Sequence, residues 1–67
     1  MNDLDIWRSA GTLIGRYGTP DALLLAARRA DALLEQGDAE GFLVWKRIVR
    51  AIEELNRTSR AAMEQLH

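Results

Sequence analysis

Two adjacent carboxylates, Glu53 and Glu54, are the feature of this sequence that comes closest to a pair of acid–base catalysts. On a helix, neighbouring residues diverge by about 100°, so the two groups would point in different directions. Both also have arginines four residues away, Arg57 after Glu53 and Arg50 before Glu54, which is the spacing of ion pairs on a solvated helix face. We therefore interpret this region as a salt-bridged surface.

Other groups with catalytic or metal-binding chemistry are scarce. The chain has no cysteine, and its one histidine, His67, is the terminal residue. It also has no glycine-rich phosphate loop and no carboxylate cluster at ligand spacing. Nucleophilic catalysis and general acid–base catalysis usually need such residues in the interior of a fold. The sequence thus predicts a protein that is not an enzyme, with no catalytic residues, no cofactor and no metal.

A basic stripe made of Lys46, Arg50 and Arg57 raises the question of nucleic-acid binding, because a helix, a tight turn and a helix also make a helix-turn-helix. However, Asp38 and Glu40 stand at the start of the last helix, where such a helix would meet DNA, and phosphate repels both. The formal net charge of −1 supplies no general basic field. We expect no nucleic-acid partner and keep a small DNA-associated helical regulator as the alternative function.

Length and composition limit the possible folds. A chain of 67 residues with 48% hydrophobic content makes a single small globular domain, here spanning residues 1–67. No apolar run approaches the roughly 20 residues of a membrane span, and acidic residues occupy the N-terminus where a signal peptide is basic. We therefore expect a cytoplasmic protein that does not contact a membrane. Without disulfides, so small a domain must depend on efficient helix packing or self-association.

Helical periodicity and two glycine breaks predict an all-α fold of three helices, over about residues 3–17, 20–36 and 39–66. Gly18 ends the first helix, and Thr19 followed by Pro20 predicts an N-cap and the first residue of the second. Gly37 and Asp38 predict a very tight turn between the second and third helices. The third helix would be longer than the other two and extend beyond them, so its end must fray, project or pack on another chain.

The inward faces of the three helices define a predicted core. Alanines at the centre of the second helix leave room for large residues opposite, for which Trp7 and Trp45 are the candidates. On the third helix, apolar residues fill an arc of about 180°, which is wider than one helix–helix contact requires. The predicted core residues are Trp7, Ile14, Leu23, Ala30, Trp45, Ile48, Ile52 and Leu55.

The wide arc has two compatible explanations: the third helix contacts both other helices, or part of its face meets a second protomer. Within the apolar run from Phe42 to Trp45, Leu43 falls among the charged residues, and Leu25 is similarly out of phase on the second helix. Two such leucines would form a binding patch if the fold brought them together. The residues predicted to form an interface are Leu25, Leu43, Val44, Ala62, Met63 and Leu66.

The middle of the chain resembles a pattern found in short uncharacterised bacterial proteins of about this length. The matching residues are Arg29-Ala30-Asp31 before the turn, Gly37-Asp38-Ala39-Glu40-Gly41 at it, and Trp45, Ile48, Ala51, Ile52 and Leu55 after it. The match covers under half of the chain, and most of its residues are core and turn positions. The resemblance implies a bacterial cytosolic origin and no assigned activity.

Together these features predict a non-enzymatic helical module for protein–protein interaction, or a small regulator, that self-associates as a homodimer. The same features also fit a protein partner other than a second copy.

Overall fold

The protein folds into three α-helices: α1 (Asp3–Tyr17), α2 (Thr19–Glu35) and α3 (Ala39–Gln65). The structure is a computed structural model that describes residues 2–65 and the side chains of residues 2–64, and these residues contain no strand. The prediction of an all-α fold with a long last helix is confirmed. Helix α2 begins and ends one residue earlier than predicted, and Leu66, the predicted end of α3, lies outside the described residues.

The first two helices are joined by a single glycine. Asn2 caps α1, because its side-chain Oδ1 accepts the Asp5 N–H at 2.9 Å. Gly18 takes a positive φ of 79° and donates its N–H to the Ile14 carbonyl at 2.8 Å. Thr19, expected to be the N-cap of α2, is instead its first helical residue, and Gly18 occupies the cap position without a side-chain hydrogen bond.

The turn between α2 and α3 explains the spacing of Gly37, Asp38 and Gly41. Gly37 has φ 80°, its N–H donates to the Leu34 carbonyl, and the Asp38 N–H donates to the Leu33 carbonyl, which together form a Schellman motif. The Asp38 carboxylate then caps α3 by accepting the Gly41 N–H at 2.9 Å. A Cβ on Gly41 would lie 2.5 Å from the second oxygen of that carboxylate, so the cap leaves no room for a side chain there.

Small residues dominate the centre of the fold. Ala22, Ala26 and Ala30 of α2 are buried and bring its backbone close to the other helices. Ile48 and Ile52 of α3 are the largest fully buried side chains. Further predicted core residues are partly buried and pack against this cluster: Ile14, Leu23, Trp45 and Leu55.

The prediction that Trp7 lies in the core is wrong. Its side chain is 42% exposed and lines a shallow depression beside Arg47 and Arg50 of α3. The buried residues of α1 are Ile6 and Ala10, which form a narrow stripe. Trp7 is about 100° from Ile6 around the helix axis, so it falls outside that stripe. Because the core is built on alanines, the helices approach too closely to enclose two indole rings.

Contacts with both neighbours account for the wide apolar arc of α3. Helix α3 packs most extensively on α2 and also packs on α1. Val49 and Ala51, on opposite sides of the arc, are both buried. Within the bundle, contacts with α1 and α2 are therefore enough to explain why the apolar arc of α3 is wide.

The end of α3 extends beyond the rest of the fold. Helix α3 has 27 residues and α2 has 17, so after their short connection α3 continues past the start of α2. Every side chain from Arg57 to Glu64 is exposed. We call this segment, residues 57–64, the α3 extension. The molecule is accordingly elongated, with principal extents of 47 × 22 × 16 Å.

No helix in the described part of the chain combines the length and the apolar character needed to span a membrane.

Candidate interaction surface

The charged face of α3 is exposed, as expected of a solvated surface. Glu53 and Glu54 both face solvent, and the ion pair found among the described residues joins Arg57 to Glu54 at 3.6 Å, three residues apart. The sequence had suggested pairs four residues apart instead. Both partners are more than half exposed, so the pair contributes little to stability.

Residues 2–65 contain no group of three or more acidic or imidazole side chains placed to hold a metal ion. His67, the one imidazole in the sequence, lies outside the described residues.

Leucine and aromatic side chains line a groove between the second half of α1 and the outer side of α2. Its volume is about 650 Å³, and Trp45 of α3 also contributes to its lining. We call it the α1–α2 groove. Its apolar lining residues are Leu13, Tyr17, Leu24, Leu25, Ala32 and Trp45. Aromatic residues are enriched in protein–protein interfaces, and an apolar groove is a recurring binding site for an amphipathic helix.

Trp45 links this groove to the core. The indole ring packs against the buried cluster on one side and is partly exposed to the groove on the other. The guanidinium carbon of Arg29 lies 5.7 Å from the ring centroid, within the range of a cation–π interaction. Trp45 also lines the neighbouring depression between α1 and α3, together with Leu13 and Val44. A large aromatic ring held in place at the base of a groove is a typical binding anchor.

Charged residues on α2 flank the apolar lining. Asp21 lies near the start of α2, and Arg28 and Arg29 lie two turns further along. All three are exposed. The groove therefore has one acidic end and one basic end, which would give an incoming helix a preferred direction.

The predicted interface residues that the structure describes lie in four separate places. Leu25 lines the α1–α2 groove, whereas Val44 is partly buried against α1 and belongs to the α1–α3 contact. Leu43 is 60% exposed, lies about 160° from Trp45 around α3 and does not line the groove. The structure therefore does not place Leu43 and Leu25 in one patch.

The remaining predicted interface residues belong to the end of α3. Ala62 and Met63 lie on the α3 extension, where Met63 is 64% exposed, and Leu66 is outside the described residues.

Sequence reasoning missed the composition of the groove. Tyr17 is 45% exposed and Leu24 is 51% exposed, and neither was among the predicted interface residues. A signal was present in the run Leu23-Leu24-Leu25. Three consecutive leucines spread over about 200° of a helix, so one buried stripe cannot cover them all.

Comparison of the chain with protein-family models, with curated proteins and with solved structures gives no match. The resemblance to short bacterial proteins therefore stays a prediction.

Proposed function

We propose that this protein is a non-enzymatic helical interaction module that acts by binding protein, and that it self-associates through the α1–α2 groove. The observation that carries the proposal is the gathering of Tyr17, Leu24 and Leu25 around the partly exposed ring of Trp45. Isolated exposed leucines are normal in small proteins, whereas leucines grouped in one groove are typical of binding sites. In keeping with its sequence, we expect the protein to act in the cytoplasm.

The total surface area also supports association. The chain exposes 5143 Å² of accessible surface. A folded monomer of 7.5 kDa is expected to expose about 4,250 Å². The surplus of about 900 Å² is similar to the roughly 800 Å² that each partner buries in a standard protein–protein interface. A second chain of this size could thus cover the surplus.

The balance of charges favours protein over DNA as the partner. Glu53 and Glu54 interrupt the series of basic residues on α3, and Arg57 is paired with Glu54. The α1–α2 groove itself carries both signs. A DNA-associated regulator remains the alternative, and DNA binding that weakened steeply with added salt would favour it.

The experiment is a comparison of two matched leucine-to-glutamate variants by light scattering after size-exclusion chromatography. Leu24→Glu introduces a charge into the groove, and Leu43→Glu introduces the same charge on the opposite side of α3. Both leucines are at least half exposed, so both variants should fold, as judged by circular dichroism. We expect Leu24→Glu to shift the protein towards monomer and Leu43→Glu to behave like the wild type. Equal effects of the two variants, or no self-association of the wild type, would overturn the proposal.

A further inference from the structure

We propose that the α1–α2 groove of one copy binds the α3 extension of a second copy, and that the exchange is reciprocal. This inference rests on the proposed function and adds the identity of the occupant. Each chain would then contribute one groove and one extension to a symmetric dimer. Twofold symmetry is the commonest arrangement of soluble homo-oligomers.

The α3 extension exposes apolar side chains, of which Met63 is the largest. Met63 lies five full turns after Trp45, so it projects from the same side of α3 as the residues that form the core. Within its own chain, Met63 is 64% exposed, so the other helices leave most of it uncovered. Ala62 is also exposed beside it. Methionine adapts readily to an irregular apolar groove, which suits it to contact the leucines of the α1–α2 groove.

The charges of the groove and of the extension have matching spacing. In the groove, Asp21 and Arg28 are seven residues apart on α2, and in the extension, Arg57 and Glu64 are seven residues apart on α3. All four side chains are exposed. Arg57 also pairs with Glu54 of its own chain at 3.6 Å, and its five N–H donors allow it to contact a second carboxylate. If the extension lies parallel to α2, Arg57 is placed against Asp21 and Glu64 against Arg28. The reverse direction would place like charges together, so the charges select the parallel direction.

The symmetry is consistent with this direction. Helices α2 and α3 of one chain run antiparallel, because only three residues connect them and Leu23, near the start of α2, lies beside Asn56 and Arg57. An extension that is parallel to the partner's α2 is therefore antiparallel to the partner's α3. A twofold axis perpendicular to the two long helices imposes that relation. Asp21 and Arg57 lie at the same end of the α2–α3 hairpin. The same axis therefore places the extension of each chain on the groove of the other chain.

The size of the contact is adequate. The α3 extension has eight residues and a length of about 12 Å, which is close to the distance between Asp21 and Arg28 along α2. Two such contacts would cover surface of the order of the 900 Å² surplus per chain, which is sufficient for a stable dimer.

The test exploits the two charge pairs by mixing variants. Arg28→Glu alone and Glu64→Arg alone each create two repelling pairs in a homodimer, and we expect each to weaken self-association about tenfold. In an equimolar mixture, the heterodimer pairs Glu at 28 with Arg at 64, and the native Arg28 with the native Glu64. We expect its dissociation constant to return to within about threefold of the wild-type value, as measured by sedimentation of one labelled chain titrated with the other.

The mixing experiment separates this inference from the function on which it rests. A mixture that associates no more tightly than the variants alone would overturn the proposed exchange. So would a Met63→Glu variant that dimerises like the wild type while Leu24→Glu does not, but that result would leave the groove as the interaction site. A wild-type protein that stays monomeric at about 1 mM would overturn both. Recovery in the mixture together with weakening by Met63→Glu would support the exchange.

Discussion

The two tryptophans should make very different contributions to stability, although the sequence suggested that both belong to the core. Trp45 packs against the buried cluster and has Arg29 over its ring, whereas Trp7 is 42% exposed at the edge of α1. Replacing each in turn with alanine, at a protein concentration low enough to keep the chain monomeric, compares the two positions directly.

The expected cost of Trp45→Ala can be worked out from its surroundings. A largely covered indole removes about 150 Å² of surface from water, which at about 25 cal/mol per Å² is worth about 4 kcal/mol. The alanine that remains recovers part of this, and loss of the cation–π contact adds about 0.5 kcal/mol. We expect a decrease of about 3 kcal/mol in the free energy of unfolding for Trp45→Ala, and of about 1 kcal/mol for Trp7→Ala.

Urea unfolding followed by circular dichroism at 222 nm measures both values without using the mutated side chain as the probe. A domain of this length has a total stability of about 3–10 kcal/mol, so Trp45→Ala should be marginally folded and Trp7→Ala clearly folded. As a second readout, the Trp7→Phe variant should emit at shorter wavelength than the Trp45→Phe variant and be quenched less by acrylamide. If Trp7→Ala costs as much as Trp45→Ala, the orientation of α1 described above is wrong.

Three further predictions concern the core and the α2–α3 turn. Ala26→Leu should destabilise the protein by about 1–3 kcal/mol in urea unfolding because the alanine is fully buried. As a control, the same change at exposed Ala61 should alter the free energy of unfolding by less than about 0.5 kcal/mol. Equal effects would contradict close packing at Ala26. Gly37→Ala should lower the free energy of unfolding by about 1–2 kcal/mol because φ is 80° at this position, and the melting temperature should fall by about 4–16 °C. An unchanged melting temperature would contradict the Schellman turn. In an Asp38→Ala variant, Gly41→Ala should stabilise the protein by about 0.5–1 kcal/mol because alanine favours the helix. In the wild type, the same change should be about 1 kcal/mol less favourable because the new methyl group displaces the Asp38 cap. Additive effects in this double-mutant cycle would refute the contact between position 41 and the Asp38 carboxylate.

Helix number and boundaries could be predicted because they depend on local signals. Gly18 and Gly37 mark the helix ends through backbone conformations that other residues adopt at a cost, and Asp38 is a strong capping residue. The displacement of Thr19 from the N-cap by one residue is of the size by which such boundaries commonly shift.

The composition of the core was predictable for α2 and α3 and less so for α1. Ala30, Ile48 and Ile52 lie on faces with clear periodicity and are buried. The prediction for Trp7 was wrong because it assumed that every large apolar residue on one half of α1 is buried. The width of the buried face depends instead on how closely the alanines of α2 let the helices approach. That distance is a tertiary property, and no pattern within α1 contains it.

The groove could not be predicted because residues distant in sequence form it. Tyr17, Leu25 and Trp45 come from three helices, and their proximity depends on how α1 packs against α2 and α3. The out-of-phase position of Leu25 was a correct indication that it is exposed, but the same reasoning selected Leu43, which lies outside the groove. Helical phase shows which side chains leave the core and does not show which of them become neighbours.

Self-association is tested most directly by sedimentation equilibrium of the wild-type protein over a concentration range from about 1 μM to 1 mM. We predict a reversible shift from a mass of 7.5 kDa to twice that mass, accompanied by a melting temperature that rises with protein concentration. A constant monomer mass over the whole range, with a melting temperature independent of concentration, would contradict the proposal that this module binds a second copy of itself.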